Sequence, residues 1–375
     1  MQAQRLDTNL TLIQKLFHMS WGFLFLIALT ASIGFTALYS AAGGDFDPWA
    51  SRQIVRFIIG LGGLFFIAMI DIKFWHKLAY PLYFLGLILL VIVELKGQIG
   101  MGAQRWIDLG FIQLQPSEAM KIVVVLALAK YFHTASKEDM KHWRFLLPPL
   151  LMIGAPVALV LLQPDLGTSL MIVMAGITMF FLAGAPILYF IILTALALIS
   201  LPVAWGLMHD YQKQRVLTFL NPESDPLGSG YHIIQSKIAI GSGGIEGKGF
   251  LEGTQARLNF LPEKQTDFIF TLWVEEWGLL GGLFLFAVVG LIFLYGYIMA
   301  FKTRYAFGRL LILGLIVNFS LYVFINIAMV MGLIPVVGAP LPLISYGGTS
   351  MLTVLIGFGL ILSAYVHRDA KLPRM

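Results

Sequence analysis

The sequence predicts an all-α polytopic membrane protein with about ten transmembrane helices and one long outward loop that contains short surface helices. Of its 375 residues, 58% are hydrophobic and only 12% are charged, whereas a soluble domain carries about 25% charged residues. Apolar runs of roughly 20 residues, enough to cross a bilayer, recur along the chain. We therefore expect residues 1–375 to form a single membrane domain, with the long loop at 208–267 and no separate soluble domain.

The predicted spans follow the apolar runs in chain order. The first run is too long for a signal-peptide core and lacks a small-residue cleavage site, so we expect it to remain as the first helix. The fourth run is the least apolar, since it contains Lys121 and Lys130. The ten predicted spans cover residues 19–41, 54–70, 78–95, 118–133, 145–162, 166–183, 186–208, 268–297, 310–333 and 343–366.

The distribution of basic residues predicts the orientation. Ten spans place both termini on one side, together with the loops around Lys73, Lys137 and Arg304, and this side has more Lys and Arg than Asp and Glu. The positive side faces the cytoplasm, so we expect cytoplasmic termini and an outward loop at 208–267. Orientation also explains the pI of about 9.2, so we expect no nucleic-acid partner. The absence of cysteine excludes disulfides, thiol catalysis and Cys-ligated metals.

The long loop combines apolar residues, charges and glycines. Residues such as Tyr231, Ile238 and Phe260 are interleaved with charged residues, a pattern that predicts short amphipathic helices at the membrane surface. The run 243–249 lacks the first glycine and the Ser or Thr of a phosphate-binding loop, so it is interpreted as turns. We expect turns at five glycines, namely Gly241, Gly243, Gly244, Gly247 and Gly249.

Ionisable residues at membrane depth are the strongest functional signal. A charge at a helix centre costs roughly 2.5–3.5 kcal/mol on insertion scales and therefore often marks function. All of the predicted positions lie in the outer half of the membrane. They are Arg105 to Asp108, Glu118 with Lys121, Asp165, Asp267, and Glu275 with Glu276.

Structural roles compete with functional ones at three of these positions. Glu118 and Lys121 are spaced for an ion pair within one helix. Asp165 follows Pro164 and is placed to cap a helix. Asp267 also precedes a predicted helix, but it ends the long loop near further carboxylates. Together these residues predict an outward cavity for an amphiphile with an anionic head group, where a carboxylate could act as a general base and Arg or Lys could hold a diphosphate. The scattered histidines predict no metal site.

Several recognisable motifs occur in order along nearly the whole chain. They are residues 102–110 (GAQRWIDLG), 115–118 (QPSE), 163–168 (QPDLGT), 208–212 (MHDYQ), 222–228 (PESDPLG), 231–237 (YHIIQSK), 261–263 (LPE), 266–270 (TDFIF) and 340–348 (PLPLISYGG). Together these motifs resemble those of the shape, elongation, division and sporulation (SEDS) family, and its rod-shape branch more than its division branch.

This resemblance implies a peptidoglycan glycosyltransferase that polymerises lipid II into β-1,4 glycan strands on the outer face of the cytoplasmic membrane during elongation and rod-shape maintenance. The family's essential loop carboxylate corresponds to Asp267, which would act as the catalytic base. Our own candidates for binding the diphosphate and sugar are Arg105, Lys121, Arg215 and Lys237, and the candidate supporting residues are Glu118, which would orient Lys121, with Asp165, Glu275 and Glu276.

The resemblance also implies the partners. These are lipid II, the nascent undecaprenyl-diphosphate-linked glycan, a class B penicillin-binding protein and the elongation complex, all at the bacterial inner membrane. No metal ligands are assigned, and a divalent cation bridging the diphosphate and a carboxylate is left open. Gln265 stands where family members commonly have histidine, so a proton relay through that histidine is absent. The alternative functions are a lipid II flippase and a non-catalytic scaffold of the elongation complex.

Overall fold

The computed structural model describes residues 10–100, 103–108, 113–208, 210–224, 228–258, 260–261 and 263–370. Helices dominate this part of the chain. The α-helices are α1 Leu12–His18, α2 Trp21–Ala41, α3 Ala50–Met69, α4 Ile72–Lys96, α5 Pro116–Phe132, α6 Trp143–Leu162, α7 Leu166–Leu182, α8 Ile187–Leu207, α9 Asp210–Leu220, α10 Ser229–Ser242, α11 Thr254–Arg257, α12 Ile269–Lys302, α13 Ala306–Val330 and α14 Gly348–Val366. Short 3₁₀ helices cover Asp139–Lys141 and Pro222–Ser224.

Each predicted span coincides with one of these helices, which confirms the fold class. Seven helices are long and apolar enough to cross a membrane, namely α2, α3, α4, α6, α12, α13 and α14. Of the remaining three, α7 and α8 are apolar, and α5 contains the charged residues predicted to weaken it. The last predicted span begins at Gly348 rather than at 343, because Leu343 has a φ of 65° and Gly347 has a φ of 178°, and neither angle fits an α-helix.

The helices pack around α5 and α13. Helix α13 contacts α5, α7, α12 and α14, while α3 packs along α14 and α2 along α12. Close approach is possible where glycines replace larger residues: a Cβ at Gly314 of α13 would lie 2.6 Å from Val125 of α5. By contrast, no described residue of α8 is buried, and this helix lies against the bundle only loosely.

A small antiparallel sheet, which the sequence did not predict, precedes α5. Its strands are β1 Gln98–Gly100, β2 Ala103–Asp108 and β3 Gln113–Leu114, in the order β1-β2-β3. Ile107 pairs with Leu114, and Gln98 pairs with Trp106. Strand β2 of this sheet places Arg105 next to the start of α7.

The long loop contains short helices, as predicted, but one predicted turn is wrong. Gly241 lies within α10, where the helix continues to Ser242. The following residues 243–249, here called the glycine loop, do turn: Gly244, Gly247 and Gly249 have φ angles of 55°, 85° and 107°, which L-residues rarely adopt.

The glycine loop docks into a break in α12. Gly278 has φ 64° and ψ −161°, which interrupts the helix and leaves neighbouring backbone groups without intrahelical partners. A Cβ on Gly247 would lie 2.1 Å from the carbonyl oxygen of Glu276, so only glycine fits there. The loop supplies the missing partners through four bonds: Lys248 N to Glu275 O (3.0 Å), Gly249 N to Glu276 O (3.1 Å), Leu279 N to Gly244 O (2.9 Å) and Leu280 N to Ile245 O (3.1 Å).

Candidate active site

Asp267 lies in the turn before α12, and this turn is fastened to the irregular residues 333–347, here called the proline segment. The Ser345 hydroxyl donates to the Thr266 carbonyl oxygen, and the Tyr346 amide donates to the Gln265 carbonyl oxygen at 2.8 Å. Asn326 Nδ2 of α13 donates to the Asp267 carbonyl oxygen at 2.8 Å and to the Ala339 carbonyl oxygen at 2.7 Å. These bonds fix the backbone around Asp267 and do not involve its side chain, which can therefore take part in chemistry.

The Asp267 side chain does not cap α12, so the capping interpretation is wrong. The N-cap residue is Phe268, and no side chain makes a cap hydrogen bond. The pKa of Asp267 is raised to about 6: burial raises it most, the negative charge of Glu263 raises it as well, and the positive charge of Arg215 opposes both. A carboxyl group with a pKa near neutrality is suited to accept a proton from a substrate.

Three consecutive residues of the proline segment connect Asp267 to other predicted site residues. The carbonyl oxygen of Val336 accepts a hydrogen bond from Arg215 Nη1 at 3.3 Å. A Cβ placed on Gly167, at the start of α7, would lie 2.9 Å from the Val337 carbonyl oxygen, and one placed on Gly338 would lie 3.6 Å from Asp267 Oδ2. The proline segment therefore gathers the end of the long loop, Arg215 and the start of α7 at one place.

Asp165 at the start of α7 both caps the helix and pairs with Arg105. It accepts hydrogen bonds from Thr168 N at 3.1 Å and from Thr168 Oγ1 at 2.9 Å, which confirms the predicted cap. Its Oδ2 is also 3.5 Å from Arg105 Nε, and Arg105 Nη2 donates to the Pro164 carbonyl oxygen at 2.9 Å. The sheet and α7 thus hold Arg105 in a defined orientation, with its side chain still partly exposed.

Glu118 and Lys121 form the predicted ion pair inside the bundle. Lys121 Nζ lies 2.7 Å from Glu118 Oε1 and 4.0 Å above the ring of Tyr322, whose hydroxyl donates to Glu118 Oε2 at 2.8 Å. Lys121 is only 1% exposed. The adjoining cavity, which Asn318 also lines, has a volume of about 20 Å³, enough for about one water molecule. Lys121 can act on a bound substrate only from inside the bundle in this conformation.

The other predicted residues lie in two further places. Lys237 is exposed on α10 and lies against Gly332, where a Cβ would approach its Nζ to 2.8 Å. Glu275 accepts hydrogen bonds from Lys248 Nζ at 2.7 Å and from the amide of Gln255 at 3.0 Å. Glu276 accepts one from the Ser40 hydroxyl. Both glutamates are fully buried and hold the residues next to the glycine loop, so they support the loop.

Sequence reasoning missed the uncharged residues that position Asp267, namely Asn326, Gly338 and Ser345. Of these, only Ser345 falls within the 340–348 motif, and backbone hydrogen bonding leaves no charge pattern that would mark the other two. The described residues also assemble no group of three or more His, Asp or Glu side chains that could hold a metal ion. No step is therefore assigned to a divalent cation.

Taken together, the fold and this site define an integral membrane protein with a half-buried carboxylate at the end of its long loop. The chain belongs to the FtsW/RodA/SpoVE family, described as cell cycle protein, whose profile matches residues 13–370. It is 44% identical over 354 residues to the peptidoglycan glycosyltransferase MrdB of Escherichia coli (strain K12), which covers 92% of this chain and 93% of MrdB.

Two solved structures are similar to this fold. One belongs to work on the structural coordination of polymerization and crosslinking by a peptidoglycan synthase complex; it has a TM-score of 0.80 and 36% identity, and covers 94% of this chain and 98% of that one. The other is the crystal structure of the Thermus thermophilus rod shape determining protein RodA, with a TM-score of 0.70, 31% identity, and coverage of 94% and 97%.

Proposed function

We propose that this chain is a peptidoglycan glycosyltransferase that polymerises lipid II into β-1,4 glycan strands during cell elongation and rod-shape maintenance. The observation that carries the proposal is Asp267, a carboxylate with a raised pKa whose backbone is held by α13 and the proline segment. The 44% identity to a peptidoglycan glycosyltransferase over almost the full length supports the same reaction class.

In the proposed reaction, Asp267 accepts the proton of the acceptor sugar's 4-hydroxyl group. The oxygen then attacks the anomeric carbon of the donor, and the bond from that carbon to the diphosphate breaks, so that the electron pair leaves with the diphosphate. One base acting on one face inverts the α-linked donor to a β-linkage. The partial burial of Asp267 keeps water away from the carboxylate and favours proton transfer from a bound hydroxyl.

The departing diphosphate needs positive charge. Arg105 and Arg215 are the best placed of the candidates, because the proline segment brings the start of α7 and Arg215 next to Asp267. We propose that the positive charge of Lys121 acts on the diphosphate from inside the bundle, where Glu118 fixes its ammonium group. Lys237 is the weakest candidate for diphosphate contact, since it lies against Gly332, which precedes the proline segment and contacts none of the other candidates.

The proposal includes orientation and partners. The basic loops favour cytoplasmic termini and an active site on the outer face. A class B penicillin-binding protein within the elongation complex would cross-link the strands, and a fold similar to this one occurs in work on a complex that polymerises and cross-links.

Reconstitution with purified components tests the function. The chain, a class B penicillin-binding protein and lipid II should yield glycan strands resolvable by gel electrophoresis, whereas Asp267→Asn should yield none. Glu263→Gln is the matched control, because it removes an exposed carboxylate from the same turn and should retain polymerisation. Strands of normal length from Asp267→Asn would disprove the assigned base. A flippase predicts transfer of lipid II between vesicle leaflets without any strands.

A further inference from the structure

Gln53 is a polar residue of the spanning helix α3, and it uses both ends of its side-chain amide. Its Nε2 donates to the Ser345 carbonyl oxygen at 2.8 Å, and its Oε1 accepts a hydrogen bond from the Gly347 amide at 3.4 Å. The side chain is fully buried, with 0% exposure. Burying an amide is costly unless it is hydrogen-bonded. The two bonds meet this requirement and hold the backbone on both sides of Tyr346 to α3.

Arg56, one turn after Gln53, contacts the same stretch of the chain. Its guanidinium stacks 4.8 Å from the ring centroid of Tyr346, and a Cβ placed on Gly348 would lie 3.2 Å from both Cζ and Nε. Residues three apart lie on the same face of a helix. One face of α3 therefore holds residues 345–348 through a buried amide and a stacked guanidinium.

The stretch before these residues has a backbone conformation that needs support. Leu343 has a φ of 65°, and a buried residue other than glycine keeps such an angle only where its surroundings enforce it. Helix α2 lies so close that a Cβ placed on Gly34 would be 2.8 Å from the Leu343 carbonyl oxygen. The Leu341 amide donates to the Ser345 hydroxyl at 2.7 Å. The proline segment is thus shaped by the helices that enclose it, and α3 is one of them.

The residues that α3 holds are the ones that hold the turn of Asp267. Ser345 and Tyr346 donate to the carbonyl oxygens of residues 265–266, directly before Asp267. The Ser345 carbonyl oxygen accepts from Gln53, and the Ser345 hydroxyl donates to this turn. Gln53 is therefore connected to the active-site turn through a single intervening residue.

We propose that Gln53 is a positioning residue for glycosyl transfer, which acts through Ser345 to set the place of the Asp267 turn. The inference rests on the proposed function, in which Asp267 is the base. Helix α3 carries none of the candidate catalytic or diphosphate-binding residues, so Gln53 contributes by position alone. A reacting group displaced by about 1 Å can slow a reaction about a hundredfold. The loss of Gln53 should therefore lower kcat.

Initial rates of lipid II polymerisation, measured with the class B penicillin-binding protein present, test this inference. Gln53→Met has a side chain of similar length but makes neither hydrogen bond. We expect its kcat to fall about tenfold or more, with the KM for lipid II within about twofold of wild type, because Arg105 and Arg215 are unchanged. A raised KM with an unchanged kcat would overturn the inference.

Ser363→Ala is the matched control. Ser363 of α14 is fully buried, and its hydroxyl donates to the Ile70 carbonyl oxygen at the end of α3, at 2.7 Å. This substitution removes a buried bond between α3 and α14 at the end away from Gln53. Both variants should melt at a lower temperature than wild type, but only Gln53→Met should lose kcat. Equal kcat values in the two variants would show that Gln53 only stabilises the fold.

A double-mutant cycle with Ser345→Ala tests the path. If Gln53 acts through Ser345, the double variant should have about the kcat of the slower single variant, because the second substitution removes a connection already broken. Multiplied losses would contradict the path. Should Gln53→Met not fold, Gln53→Glu replaces it: the ionised side chain keeps the shape and the acceptor but cannot donate to Ser345, and the same loss of kcat is expected.

Hydrogen exchange measures the position of the turn without relying on the reaction. In Gln53→Met, peptides that cover residues 263–270 and 341–348 should exchange about tenfold faster than in wild type, whereas in Ser363→Ala they should not change. Unchanged exchange in Gln53→Met would refute the inference. Strands from wild type together with a normal kcat in Gln53→Met would refute this inference alone. No strands from wild type would refute the proposed function, and the exchange result would still decide whether Gln53 positions the turn.

Discussion

At the scale of the residue, the raised pKa of Asp267 links its proposed chemistry to pH. The carboxylate form is the base, and burial moves its pKa to about 6, from an ordinary value of 3.8. Glu263 contributes in the same direction, because its negative charge disfavours a second charge nearby. Activity should therefore depend on protonation within two pH units of neutrality.

We expect the polymerisation rate to fall about tenfold for each pH unit below 6, since only ionised Asp267 accepts the proton. Initial rates between pH 5 and pH 8, with a buffer overlap at pH 6, measure this profile. In Glu263→Gln the profile should shift to lower pH. An identical profile in the two proteins would show that Glu263 does not act on the base.

The same pKa shift predicts a stability cost. Because the folded pKa lies above the unfolded value, the favourable contribution is complete below pH 3.8 and is lost as the pH rises through about 6. Asp267→Asn removes the buried charge, so it should melt at a higher temperature than wild type at pH 8, with the difference shrinking toward pH 5. Fluorescence-monitored melting in detergent measures it, and a lower melting temperature at pH 8 would contradict the argument.

At the scale of the element, α12 and the glycine loop form one unit. Each satisfies backbone groups that the other leaves open at Gly278. Lys248 of the glycine loop also forms an ion pair with the buried Glu275 of α12, at a distance of 2.7 Å. This unit gives the long loop an ordered attachment close to where α12 begins.

Gly247→Ala should release this attachment. The new Cβ would meet the Glu276 carbonyl oxygen, and the φ of 85° at this position disfavours alanine. We expect faster trypsin cleavage after Lys248 and a lower melting temperature. Gly241→Ala is the matched control, since a Cβ there meets nothing within 4 Å and alanine favours a helix. Equal cleavage rates in the two variants would contradict the docking.

The elements that the sequence predicted are those with local signals. Apolar runs marked the spans, a three-residue spacing marked the Glu118–Lys121 pair, and Pro164 marked the cap at Asp165. The break at Gly278, the small sheet and the contacts of the proline segment depend on hydrogen bonds between residues far apart in the chain. No periodicity encodes such bonds, and for the same reason the sequence leaves capping and catalysis as competing roles for Asp267.

At the scale of the whole molecule, ten long helices form a bundle whose centre is α5 and α13. The buried Glu118–Lys121 pair lies between α5 and α13, whereas α8 exposes its apolar side chains. A bilayer would cover α8, because its side chains are mostly aliphatic and aromatic and none is charged.

The proposed orientation can be checked by cysteine labelling, because the chain has no cysteine of its own. Glu246→Cys in the glycine loop and Glu138→Cys before Asp139 both replace exposed residues. In intact cells stripped of their outer barrier, a membrane-impermeant maleimide should label the first variant, and the second only after permeabilisation. Labelling of Glu138→Cys alone in intact cells would reverse the topology.

The break in α12 also constrains the order of assembly. Residues 279–302 alone extend for roughly 36 Å, so they can cross a bilayer without the first part of the helix. The backbone groups beside Gly278, however, stay unsatisfied until the glycine loop arrives. The loop precedes α12 in the chain, so in the proposed orientation it would already be translocated when α12 inserts. Insertion of α12 and formation of the turn that contains Asp267 should therefore be separate events. The turn would form only when the glycine loop docks beside Gly278.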